Sequence, residues 1–105
     1  GRQMAVSLQV IYPVSDDSTF DHGYYADTHM ALVQEHMGPH IDRVLVTKGI
    51  AGGPDQPAGF HAVASIVFAD QAAMGAAMKA SGPVMADVAN FTNIQPQVLI
   101  GEVIA

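Results

Sequence analysis

Three glycine–proline pairs, Gly38-Pro39, Gly53-Pro54 and Gly82-Pro83, cut this chain into segments that can be arranged in few ways. Proline cannot donate to a ladder and glycine accepts turn conformations, so each pair closes the element before it. Ahead of the first pair, residues 5–12 alternate: Val6, Leu8, Val10 and Tyr12 form one apolar face, and Ala5, Ser7, Gln9 and Ile11 a milder one. That period predicts a half-buried strand, ended by Pro13. Residues 19–37 then read as one long helix, with Ser18 and Asp21 in capping-box spacing and Gly38 free to take the left-handed cap conformation.

Residues 41–50 are rich in Val, Leu and Ile and predict a second strand, followed by the loop AGGPDQPAG over 51–59. A third strand is expected from Phe60 or His61 to Phe68, with Ala62, Ala64, Ile66 and Phe68 opposing His61, Val63, Ser65 and Val67. Residues 70–80 predict a second helix capped by Asp70, with Met74 and Met78 spaced to face a core. Pro83 suits the first turn of a short third helix through Asn90, and residues 96–104 read as a last strand. The order β-α-β-β-α-(α)-β is that of an α+β, ferredoxin-like domain: a four-stranded antiparallel sheet with helices on one face. One domain over residues 4–105 is expected, with Met4 as the natural start and Gly1-Arg2-Gln3 set aside as a cloning remnant.

Helices cover only one face of such a sheet, and the other carries Ile11, Leu45, Val63 and Val67 with hardly a charge. An exposed apolar surface of that extent predicts a homodimer, sheet against sheet, with a cavity between or beside the sheets. Four Lys plus Arg against a net charge of −6 argue against nucleic acid and against an anionic membrane surface. There is no cysteine, hence no thiol nucleophile, and no stretch has the length of a membrane span. A cytoplasmic location is the expectation.

The polar residues that stand out are few. His22, His29 and His36 recur every seven residues on the first helix. Seven residues rise about 10.5 Å, so neighbours in that row cannot share a metal ion, and no metal site is expected. Tyr25 and His29 lie one turn apart among apolar neighbours. Two readings fit them: a packed pair whose polar atoms meet backbone or water, or the wall of a site. The inward sheet face offers Ser7, Gln9, His61 and Ser65 as sparse polar groups among Val and Ile, the make-up of a small-ligand pocket. Asp87 sits amid Met, Val and Phe, where a carboxylate needs a partner. It either bonds the following turn, with Asn90 and Thr92 bonding backbone at the strand entry, or orients His29.

At these residues the chain resembles the EthD family of the dimeric α+β-barrel superfamily. The resemblance rests on Phe20, Tyr24-Tyr25, Thr28-His29, Val67-Phe68, Ala86-Asp87 and Asn90-Phe91-Thr92, and runs from Met4 onward. Met30-Ala31 departs from the family pattern, which often has a small residue or proline before a leucine. The resemblance implies a homodimer with a cavity between sheet and helices, and a role in oxidative breakdown of small organic molecules. Superfamily relatives include cofactor-free monooxygenases, lactone isomerases and haem enzymes, so no cofactor is expected while haem stays open. The expected site has His29 as acid/base, Asp87 as its orienter and Tyr25 as a donor. Tyr24, Phe91, Ser7, Gln9, His61 and Ser65 would contact an apolar or aromatic substrate. A non-catalytic binding or accessory protein, and a cofactor-free isomerase or cyclase, are the alternatives.

Overall fold

The alternation of residues 5–12 becomes strand β1, Val6–Pro13, at the centre of the sheet in a computed structural model that describes residues 4–105. Gly1-Arg2-Gln3 lie outside the described residues. The other strands are β2 (Arg43–Lys48), β3 (Phe60–Phe68) and β4 (Gln97–Glu102). All pairings are antiparallel, in the order β2-β3-β1-β4 that the ferredoxin-like pattern requires. The register places Leu8 between Ile66 and Ile100, and Val10 between Ala64 and Val98. One face of the central strands is therefore continuous and apolar.

Three helices cover that face. Helix α1 spans residues 22–37, α2 is Gln71–Lys79 and α3 is Gly82–Asp87. Val33 and Met37 of α1, Ala77 of α2 and Val84 of α3 pack on Val6, Leu8, Ile66 and Phe68, all buried. Each large side chain so buried stabilises the fold by about 1.5–3 kcal/mol. Asp70 caps α2 as expected, accepting the Ala73 N–H at 2.8 Å. Met74 packs on this core, whereas Met78 remains 42% exposed.

Two helix ends differ from the expectation. Asp21, not Ser18, caps α1: its Oδ1 accepts the Tyr24 N–H at 3.1 Å, so the helix begins three residues later. Ser18 is held in a turn with Ser15, and Phe20 is paired across to Thr92, which leaves neither free to enter the helix. At the other end Gly38 keeps a right-handed conformation (φ −52°), and the chain tightens into a 3₁₀ turn, Gly38–His40, that takes Pro39 into its first positions and ends at the extended Ile41. Among the described residues no helix is long and apolar enough to cross a membrane.

Candidate functional site

The site is assembled where α1 meets the segment after α3. Two links set their register. The Asp21 N–H donates to Phe91 O at 2.8 Å, and the Thr92 hydroxyl donates to Thr19 O at 2.6 Å. Residues 87–92 are thereby held against the first turns of α1, although more than 60 residues separate them in the chain.

Within α1 the turn Tyr25–His29 is widened: the Met30 N–H donates five residues back, to Tyr25 O. Such π turns are rare and recur at functional sites. Residues four apart, staggered on an α-helix, come closer to eclipsing here. The rings of Tyr25 and His29 stack with centroids 5.4 Å apart and planes 19° from parallel. Phe91 packs against both rings, its centroid 4.5 Å from the imidazole and 5.0 Å from the Tyr25 ring.

Asp87 is buried beside this stack and accepts from three donors. Its Oδ2 takes the His29 Nδ1–H at 3.0 Å, and its Oδ1 takes the Tyr24 hydroxyl at 2.6 Å and the Asn90 amide at 2.9 Å. The Tyr24 hydroxyl and the Asn90 amide hold the Asp87 carboxyl below the usual carboxylate range, against burial, with His29 adding to the effect. The same bond to Asp87 pushes the Tyr24 hydroxyl up. A carboxylate surrounded only by donors fixes the tautomer of the neutral ring: Nδ1 carries the proton and Nε2 the lone pair.

That Nε2 has no partner, yet no buried side-chain nitrogen or oxygen among the described residues is left unsatisfied, so it meets open space. The space is a cavity of about 150 Å³ between α1 and the sheet, lined by His29 and Tyr25 with Leu8, Ile66 and Val33. Tyr12 also lines it. Burial pushes the Tyr25 hydroxyl up to about 12 and, with Tyr25 beside it, pushes the Tyr12 hydroxyl up as well, so both stay protonated donors. Exposed Met85 and Val98 stand at the rim. A wider depression of about 460 Å³ beside the 51–59 loop contains no titratable side chain in its wall.

The residues singled out in the sequence divide into two groups. His29, Tyr25, Asp87, Tyr24 and Phe91 come together, but Tyr24 and Phe91, expected against the ligand, stand behind the histidine and do not line the cavity. Ser7, Gln9 and Ser65 are not on the inward face. The helices lie on the Val6-Leu8-Val10-Tyr12 side, so alternation turns these three to the opposite face, where Ser65 donates to Gln9 at 2.6 Å. His61 is also directed elsewhere: its Nε2 lies 2.8 Å from the Ser18 hydroxyl and its ring stacks on Phe20. Among the described residues His36 reaches only Glu35, at 3.6 Å. Asn90 and Tyr12 were missed. The i, i+3 spacing of Asp87 and Asn90 on a helical segment, and the place of Tyr12 at the end of the apolar strand face, were the available signals.

Comparison with known proteins bears on this arrangement. The EthD domain profile matches residues 15–95, which contain the whole His29–Asp87 constellation. No curated protein matches the chain significantly. The structure is similar to that of an EthD-like protein from Ralstonia eutropha JMP134, with a TM-score of 0.88 and 33% identity over 99% of this chain and 96% of that one. An EthD family protein from Bacillus halodurans C-125 has the same fold at 22% identity, TM-score 0.68, over 96% of this chain and 100% of that one. So does a candidate monooxygenase from Shewanella loihica PV-4 at 14% identity, TM-score 0.65, over 100% of this chain and 99% of that one. By the extent of the profile match and the identity to the Ralstonia protein, this chain belongs to the EthD domain family.

Proposed function

We propose that this chain is a small-molecule enzyme, an oxidoreductase in which His29 moves a proton on an apolar or aromatic compound held between the sheet and α1. The observation that carries the reading is one imidazole with two unlike sides. Nδ1 is bonded to a buried carboxylate, and Nε2 is unpartnered at an apolar cavity. A neutral ring so held accepts a proton at Nε2, and the imidazolium that forms is stabilised by Asp87 behind it. Tyr25, neutral across the working pH range, is the donor available to a substrate oxygen. The oxidative character rests on family membership and on the fold shared with the Shewanella candidate monooxygenase.

The volume argues against haem: a cavity of about 150 Å³ admits one ring, not a macrocycle of four. The test is turnover of a panel of phenols, quinols and lactones by the protein and by His29→Gln. A loss of about 10²–10⁴-fold in the variant is expected. Equal rates would overturn the acid–base role. Thermal stabilisation by a ligand that is never turned over would favour the accessory-protein reading instead, and conversion without net oxidation would favour an isomerase or cyclase.

We also propose that the working form is a homodimer. Leu45 is 64% and Leu99 59% exposed on the face away from the helices, beside Ile11, Val63 and Val67. A second copy of the same sheet is the partner that would cover them. Light scattering should give twice the monomer mass, and Leu99→Glu should weaken association by about tenfold or more, or about 1.4 kcal/mol. A monomeric wild-type protein at micromolar concentration would refute this.

A further inference from the structure

We infer that the cavity beside His29 takes a neutral, single-ring compound bearing an ionisable O–H, a phenol or a cyclic enol, in preference to carbonyl compounds, carboxylic acids or fused rings. The inference rests on the acid–base reading of His29 and narrows its substrate.

Three observations on the cavity lead there. Its volume is about 150 Å³, and an apolar cavity of that size holds a single benzene ring. Its wall contains no Lys or Arg, and the ionised Asp87 stands directly behind the histidine, so a ligand carboxylate or phosphate would enter without a counter-charge and against a like one. The third observation is the polarity of the hydrogen-bonding atom. Because Asp87 takes the Nδ1 proton, the cavity-facing Nε2 of the neutral ring is an acceptor. It calls for a ligand that donates. A ketone or ether in the same place would leave that lone pair buried against another lone pair.

The proton step then balances within the site. The ligand O–H bond breaks, its proton forms the Nε2–H bond, and the electron pair stays on the ligand oxygen. The resulting anion lies against an imidazolium that is itself paired with Asp87, within a wall that also holds the protonated hydroxyls of Tyr12 and Tyr25. No hydrogen bond within the protein engages either tyrosine hydroxyl among the described residues, and neither is sealed from open space.

Fluorine NMR on the purified protein tests this with para-fluorophenol, the equally sized para-fluorotoluene, para-fluorobenzoate and a fluoronaphthol. The fluorophenol should bind about tenfold or more tighter than the toluene and the benzoate, with its resonance displaced toward the phenolate position. The His29→Gln variant should lose both the preference and the displacement. In case that variant folds poorly, Val33→Ala provides an independent reading: by widening the cavity wall it should admit the fluoronaphthol that the wild-type protein excludes. Toluene or benzoate binding as tightly as phenol, or naphthol binding equally well to the wild-type protein, would overturn the inference. Phenol binding without turnover of any phenol keeps the ligand class and removes the catalytic reading. Turnover of a ring bearing no hydroxyl overturns the ligand class and leaves the catalytic reading intact.

Discussion

Exchanging Asp87 for Asn removes one charge and almost no volume, yet turnover of the native substrate is expected to fall by about 10²–10⁴-fold. The reason is the direction of one hydrogen bond. Asp87 now accepts from His29 Nδ1 at 3.0 Å, while Tyr24 and Asn90 occupy its other oxygen as donors. In the variant the Asn oxygen remains with those two donors, so its amide nitrogen faces the histidine. An amide N–H there selects the tautomer with the proton on Nε2, and the cavity-facing base is lost. Steady-state kinetics and the proton signals of the His29 ring would read this. An Asn variant with unchanged turnover and unchanged Nδ1 protonation would remove Asp87 from the mechanism.

The same variant isolates the acid dependence of stability that Asp87 confers. Because the Asp87 carboxyl is held below its ordinary value in the folded protein, its contribution to stability is complete above the unfolded-state pKa of about 3.9. It is lost as the pH falls through the lower folded value. The wild-type protein should therefore be more stable than Asp87→Asn near neutrality, by about 1–3 kcal/mol for charge-assisted bonds made neutral. That difference should shrink in acid below about pH 4. Urea melts across the acid range would show the two curves converging, and parallel curves would mean that the carboxylate adds no acid-sensitive stability.

The largest loss of stability is expected from Phe68→Ala. Phe68 has 0% exposure, the most deeply buried large side chain among the described residues, and lies opposite Val6 at the end of β3. Truncating it forfeits the transfer free energy of the ring and leaves a void that the sheet cannot close, a cost of about 3–5 kcal/mol. A domain of this size has on the order of 5–15 kcal/mol in total. The melting temperature should drop by on the order of 20 °C, at about 4–8 °C per kcal/mol. Calorimetry with a shift of only a few degrees would mean that the interior repacks around position 68.

Much of this site could be read from local spacing. Tyr25 and His29 share a helical face whatever the rest of the chain does, and the apolar setting of Asp87 already required a partner. The seven-residue intervals of His22, His29 and His36 separate them by helix rise alone. Ser7, Gln9 and Ser65 share a strand face with Ile11, Val63 and Val67, the face left to a partner, so alternation itself keeps them out of a pocket beneath the helices. Ser18 has the spacing of a cap, and its pairing with Ser15 and His61 depends on contacts that spacing does not encode.

By itself, then, the amino-acid order determined the elements, their succession and the α+β class, because helix and strand periods and the glycine–proline breaks act over a few neighbours. Only the tertiary structure decided that the turn at Tyr25–His29 widens, and that Tyr24 serves Asp87 and not the cavity. It also decided which imidazole nitrogen is free. Those outcomes follow from packing and from hydrogen bonds between residues some 60 positions apart, such as Tyr24 with Asp87 and His29 with Asp87. The free energy of such contacts exists only once the chain has closed.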